Sequence, residues 1–131
     1  MAFPVDFHHV TKAEDRLGVR LPPLYRDWLT RSNGGELEID GEPWWLLPVA
    51  DDSDRKRWAR TWDDIVKQTE TAREWPGFPQ DAVAIAHDGA GNRLVFRPES
   101  QDPTTLAGAV YRWERHTGEV LWVTDEIVDL L

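Results

Sequence analysis

The chain has 131 residues, no cysteine and a formal net charge of −9, from 15 basic and 24 acidic side chains. This length predicts one domain, residues 1–131, which is large enough to bury a core without disulfides. The absence of cysteine excludes thiol nucleophiles, cysteine-ligated zinc and iron–sulfur clusters, and the acidic balance argues against binding nucleic acid through its phosphates.

From the first residues and the apolar runs we expect no signal peptide and no membrane span. Residues 1–10 lack the basic and apolar regions of a signal peptide. No apolar run approaches the roughly 20 residues that span a bilayer. We therefore expect a cytoplasmic protein with no membrane association.

Two helices are predicted in the first third of the chain. Thr11 and Glu14 match a capping box, in which both side chains satisfy free backbone amides, and Gly18 can end that helix. A second helix is expected near Pro22 and Pro23, because proline is tolerated in a first turn. Its apolar positions recur at helical spacing: Leu21, Leu24, Tyr25, Trp28 and Leu29.

Two strands are expected next. Asn33-Gly34-Gly35 is expected to end the second helix in the left-handed conformation. Residues 35–40 then alternate between acidic and apolar side chains, which predicts a half-buried strand with its acids on the solvent face. A turn at 41–43 leads into a second strand over residues 44–49.

The longest helix is predicted over residues 53–75. Its apolar stripe contains Trp58, Trp62, Ile65, Val66, Thr69 and Ala72. Beyond it, strands are predicted at 82–86, 93–97, 110–114 and 120–123, followed by a short helix over 125–131. Helices, strands, a helix and further strands in this order indicate an α+β fold with an antiparallel sheet flanked by helices.

The negative charge is concentrated in one window. Residues 36–54 contain seven acidic side chains and no basic one: Glu36, Glu38, Asp40, Glu42, Asp51, Asp52 and Asp54. A weaker second group follows near the end of the sequence: Glu119, Asp125, Glu126 and Asp129. Such a window is typical either of a solvated surface or of a docking surface for a basic protein.

Eight tryptophans are many for this length. Five of them lie on apolar helix stripes or on strands, where we expect core packing or a cross-strand pair: Trp28, Trp58, Trp62, Trp113 and Trp122. Trp44 and Trp45 are adjacent on one strand and must point to opposite faces. One of them can therefore be exposed beside the acids, and Trp75 is a second exposed candidate.

No pattern in the sequence predicts an enzyme. The four histidines lack the helical spacing of a metal site, and the acids at 51–54 lack the glycine and glutamate of a calcium loop. Gly89-Ala90-Gly91 precedes a strand rather than a helix, so a turn is expected there instead of a dinucleotide site. We expect no catalytic residue, metal or cofactor; a small hydrolase with an unrecognised pair of carboxylates remains the least favoured alternative.

Three elements in order resemble the SUKH superfamily, also called the Smi/Knr family. They are the LGVRLP segment at 17–22 with Tyr25, Trp28-Leu29 and the Asn-Gly-Gly at 33–35; the glycine turn at 88–92 with Leu94 and Phe96; and the hairpin at 110–119. The resemblance implies a SUKH-like binding scaffold rather than an enzyme. Through this resemblance the chain is similar to bacterial immunity proteins that neutralise polymorphic toxins, and to fungal regulators.

Two functional hypotheses follow from the residues and the resemblance. The first is an immunity protein whose acidic surface binds a cognate, basic toxin, a nuclease being one candidate. Its predicted contact residues are Glu36, Glu38, Asp40, Glu42, Asp51, Asp52 and Asp54, with Trp44 or Trp45 as the apolar anchor. The alternative is a non-enzymatic regulatory or adaptor module that recognises another protein. The sequence favours a monomer without determining the oligomeric state.

Overall fold

The computed structural model describes residues 3–131. Within them the chain forms four α-helices, six strands and a C-terminal 3-10 helix. The helices are α1 (Phe7–Leu17), α2 (Pro23–Leu29), α3 (Arg55–Arg60), α4 (Ile65–Ala72) and the 3-10 helix (Ile127–Leu130). The strands are β1 (Gly35–Ile39), β2 (Glu42–Leu46), β3 (Val83–His87), β4 (Arg93–Phe96), β5 (Val110–Trp113) and β6 (Val120–Thr124).

The strands form one antiparallel sheet in which each strand pairs with the next, in the order β1-β2-β3-β4-β5-β6. Asp40 and Gly41 alone separate β1 from β2, and both have positive φ, 53° and 81°. This is the geometry of a tight type I′ hairpin, whose Asp-Gly sequence suits it. The predicted α+β fold with an antiparallel sheet and flanking helices is confirmed.

Buried apolar side chains from helices and strands form one cluster. Tyr25 of α2 meets Phe96 of β4 edge to face, with ring centroids 5.2 Å apart. Helix α4 packs on β3, where the register shifts between Ala84 and Ala86. The Thr69 hydroxyl accepts a hydrogen bond from the Ala84 amide at 3.0 Å, so this irregularity leaves that amide satisfied.

The predicted start of the first helix is wrong. Helix α1 begins at Phe7, after Asp6, so Thr11 lies inside it and its hydroxyl bonds back to the Phe7 carbonyl. Glu14 is buried instead of capping. The predicted end is confirmed, because Gly18 adopts the left-handed conformation with φ 77°.

The predicted single helix over 53–75 is also wrong. Two short helices occupy this segment, and each starts at an aspartate that caps it: Asp54 accepts from the Arg57 amide and Asp64 from the Lys67 amide. The break between them lets Ile65 and Val66 reach the core while α3 buries no residue. Trp58 and Trp62 are therefore exposed, contrary to the predicted apolar stripe.

The later strands follow the prediction, with small differences at their ends. The second strand ends at Leu46, three residues before the predicted limit, and the predicted terminal helix is a short 3-10 helix. Trp113 is buried as expected. Trp122 lies opposite Tyr111 in the register, so it forms the predicted cross-strand pair but is not part of the core.

Candidate functional site

The exposed face of β1 and β2 brings together three of the predicted residues. Glu36 and Glu38 are exposed, whereas Leu37 between them is buried. Trp45 lies directly opposite Glu36 in the register, so the ring and the carboxylate share one face. Trp45 is 39% exposed while its neighbour Trp44 is fully buried, which confirms that the two point to opposite faces. Of the two proposed anchors, Trp44 is therefore unavailable to a partner.

Neighbouring residues hold the Trp45 ring in place. It stacks on the His87 imidazole, with centroids 5.6 Å apart and planes inclined by 28°. A Cβ at Gly89 would lie 3.7 Å from the indole, so the glycine turn after β3 packs closely against it. Partial burial, together with the charge of Arg93, lowers the pKa of His87. The imidazole beneath the tryptophan is therefore neutral at physiological pH.

A groove of about 750 Å³ runs along β1. Its lining includes residues 35–38 of β1, Trp45, Phe3, Arg57 and Arg60. The Arg60 guanidinium lies 4.4 Å from the centre of the Phe3 ring and that of Arg57 lies 5.3 Å from it, as cation–π contacts. The groove is therefore lined by acidic residues and by arginines.

Three other acids of the 36–54 window lie close to basic side chains. Glu42 lies 3.7 Å from Arg112, Asp52 lies 3.6 Å from Lys12, and Asp54 lies 2.7 Å from Arg57. The amide and guanidinium hydrogen bonds of Arg57 lower the pKa of Asp54. These three acids are compensated at the surface.

Asp51 has a structural environment. It is buried, and its carboxylate lies 3.4 Å from His9 Nε2 and 3.7 Å from Arg57 Nε. It also accepts hydrogen bonds from the backbone amide and hydroxyl of Ser53. Asp51 thus joins α1 to the start of α3, although it still borders the groove.

Three acids of the window have no ion-pair partner among residues 3–131: Glu36, Glu38 and Asp40. Asp40 directly follows β1, in the turn, with a φ of 53°. Together with Trp45 these acids form what we call the β1 face. The predicted acidic surface is thereby reduced to a smaller group of uncompensated charges.

Sequence reasoning missed Arg57 and Arg60, which line the groove. The signal was present in the two aspartates at 54 and 64, each at an N-cap position followed by a helical turn. Reading them as two starts shortens the helix and turns its arginines toward the groove.

The part of the chain that the structure covers offers no metal centre, since no three His, Asp or Glu side chains in it lie close enough to share an ion. None of its helices is long and apolar enough to cross a membrane.

A family comparison agrees with this architecture. The sequence profile of the SMI1/KNR4 family (SUKH-1) matches residues 4–131. The chain belongs to the SMI1/KNR4 family. No curated protein is similar enough in sequence to be matched to it. The SMI1/KNR4 family is typically non-enzymatic and includes immunity proteins.

The residues that resemble the SMI1/KNR4 pattern have structural roles here. The buried Glu14 carboxylate accepts from the Leu21 amide at 2.7 Å and lies 2.9 Å from Arg26 Nε, which joins α1 to α2. Asn33 is paired with the backbone of Val49 through both of its amide atoms, at 2.9 and 2.8 Å. These contacts position β1 and the loop after β2, two of the segments that border the groove.

The glycine turn after β3 is ordered in the same way. Asp88 accepts hydrogen bonds from the Ala90 amide and from the side chain of Asn92. Burial opposes ionisation of Asp88, but these hydrogen bonds outweigh it and lower its pKa. Asn92 in turn accepts from the Arg115 amide of the next hairpin at 3.0 Å. The turn thereby supports the base of the Trp45 ring.

Proposed function

We propose that the protein is an immunity protein that binds a cognate toxin through the β1 face and neutralises it. The observation that carries the proposal is the row of Glu36, Glu38 and Asp40 along β1 and its turn, with no ion-pair partner among residues 3–131, and the partly exposed Trp45 opposite Glu36. Membership of a family that includes immunity proteins supports it.

The chemistry of the β1 face favours a basic partner. Uncompensated carboxylates attract Lys and Arg and accelerate association, and this effect weakens as salt screens the charges. An indole held rigidly by His87 and Gly89 buries a large area on binding with little loss of side-chain freedom. A nuclease toxin, whose substrate groove is basic, fits both features.

Co-expression tests the function. A polymorphic-toxin gene beside this one supplies the partner: its C-terminal toxin domain is expressed with and without this protein. We expect this protein to restore growth and to co-purify with the toxin domain. The absence of any such neighbouring gene, or a toxin that neither binds nor is neutralised, would contradict the function and favour a regulatory module.

Charge reversal tests the surface. The double variant Glu36→Lys with Glu38→Lys is expected to weaken toxin binding at least about tenfold, mainly through slower association. Glu70→Lys with Glu74→Lys is the matched control, because these exposed acids make the same change in net charge away from the groove. Equal effects of the two pairs would show a general charge effect rather than a site.

A tryptophan pair tests the anchor. Trp45 and Trp75 are almost equally exposed, at 39% and 37%. Trp45→Ala is expected to accelerate dissociation of the toxin, whereas Trp75→Ala leaves it unchanged. The reverse result would move the anchor to Trp75.

A further inference from the structure

β1 is an open edge of the sheet. Among residues 3–131 it lies first in the strand order and pairs only with β2, while the C-terminal 3-10 helix comes close to it and Leu130 and Leu131 border the same groove. In a two-residue hairpin the residues flanking the turn exchange hydrogen bonds, and such pairs alternate with pairs that do not. Ile39, Leu37 and Gly35 therefore bond to β2. The N–H and C=O groups of Glu36 and Glu38 point away from it, toward the open edge.

Two observations agree with this assignment. Glu38 lies opposite Pro43, which has no N–H and so fits a pair without hydrogen bonds. No residue in 3–131 outside the sheet hydrogen-bonds to the backbone of Glu36 or Glu38. Glu36 and Glu38, which carry these free groups, are among the residues that line the groove of about 750 Å³.

The other edge of the sheet is less suitable. In β6 the register moves from Trp122 opposite Tyr111 to Thr124 opposite Val110, which leaves Val123 as an extra residue. Such a bulge interrupts an edge and hinders the addition of a strand. The pairing of β1 with β2 is regular along its whole length.

We infer that the β1 edge binds an extended segment of the partner as an added strand, with basic side chains of that segment opposite Glu36 and Glu38. The inference rests on the proposed function for the identity of the partner, and on backbone geometry for the mode of binding. Main-chain hydrogen bonds would supply affinity, and the carboxylates would select a basic sequence.

Charge disfavours a second copy of the chain as the occupant. A symmetric antiparallel pairing of two β1 edges places Glu36 of one copy directly opposite Glu38 of the other, twice. Like charges directly opposite one another destabilise a strand pair. A segment with Lys or Arg two residues apart, both on one face of the strand, complements the same positions.

Strand addition can be separated from simple charge attraction by two variants at one position. Glu38→Pro removes both the charge and the outward N–H, while the bonds of Leu37 and Ile39 to β2 remain, as expected for proline on an edge. Glu38→Gln removes the charge alone. Strand addition predicts that the proline variant binds at least about tenfold more weakly than the glutamine variant; charge attraction alone predicts equal affinities. Circular dichroism and thermal unfolding of both variants verify the fold.

The probe is the peptide Thr-Lys-Val-Lys-Val-Thr with blocked ends, and the same peptide with Glu in place of Lys is the control. Amide hydrogen exchange is followed by NMR on the wild-type protein. We expect the lysine peptide to slow exchange of the Glu36 and Glu38 amides, to leave the Leu37 amide unchanged, and to bind Glu38→Pro more weakly than Glu38→Gln.

The outcomes separate this inference from the proposed function. Protection by the glutamate peptide to the same extent, protection elsewhere, no protection at millimolar peptide, or equal binding to the two variants would overturn strand addition. A toxin that is neutralised equally well by Glu38→Pro and Glu38→Gln would overturn it while leaving the immunity function standing. If the lysine peptide protects the two amides but no toxin partner is found, strand addition is supported and the immunity function is contradicted.

Discussion

Replacing Asn33 tests how the Asn-Gly-Gly segment works. As a helix C-cap, Asn33 would have positive φ and could become glycine at no cost. In the structure the positive φ values belong to Gly34 and Gly35, and helix α2 ends earlier, at Leu29. Asn33 is instead buried, and its side chain bonds to both the N–H and the C=O of Val49.

The size of the effect follows from those two bonds. Asn33→Gly or Asn33→Ala leaves two buried backbone groups without partners, each at a penalty of about 1–3 kcal/mol. Entry of water recovers part of this, so we expect a loss of about 2–4 kcal/mol in the free energy of unfolding. For a chain of this length, each kcal/mol lowers Tm by about 3–5 °C.

Urea unfolding followed by tryptophan fluorescence measures this loss, and calorimetry gives Tm. Ser32→Ala is the control, because the Ser32 hydroxyl makes only a 3.4 Å contact with the Gly34 carbonyl. We expect a change within about 0.5 kcal/mol for it. A stability of Asn33→Gly equal to wild type would refute the two-bond role and restore the C-cap interpretation.

Three further outcomes are expected. Glu14→Gln should lower the free energy of unfolding by about 2–4 kcal/mol in urea titrations, because it leaves the partly buried Arg26 without its carboxylate; the exposed Asp15→Asn should change little. Asp64→Ala should lower the free energy of unfolding by about 1–2 kcal/mol. This loss should exceed that of Asp54→Ala, because the Asp64 side chain is buried whereas that of Asp54 is exposed. Equal losses of the two variants in thermal unfolding would contradict this. NMR titration should place the pKa of His87 below that of an unfolded histidine and show it rising in Arg93→Gln. With a lower pKa in the folded state, His87 binds more protons when the chain is unfolded. His87 therefore lowers the free energy of unfolding as the pH falls from about 6.5 toward its folded pKa. A folded pKa above about 6.5 would make His87 raise the free energy of unfolding instead.

Several features of the fold could be predicted from the sequence because they depend on neighbouring residues. The alternation in 35–40 predicted β1 with its acids outward, and strand geometry alone required Trp44 and Trp45 to face opposite sides. The turn at 88–92, the hairpin at 110–123 and the end of α1 at Gly18 were also readable, because glycine and turn residues act within a few positions.

The helix break and the ion pairs of the acidic window were not predicted from the sequence. The apolar spacing across 58–72 is continuous, and it concealed the second helix start at Asp64 and the exposure of Trp58 and Trp62. The window of seven acids likewise looked uniform. Which of them stay uncompensated depends on Lys12, Arg57 and Arg112, brought close by other elements.

The sequence by itself determined a cysteine-free α+β chain of the SMI1/KNR4 family with its negative charge concentrated before residue 55, because composition, turn residues and strand alternation are local properties. Tertiary structure alone decided where that charge remains available. Ion pairs and burial remove Glu42, Asp51, Asp52 and Asp54, and the open edge of β1 places Glu36 and Glu38 beside free backbone groups. Apart from the local Asp54–Arg57 pair, these ion pairs join residues far apart in the chain, and the free edge of β1 depends on where every other strand lies.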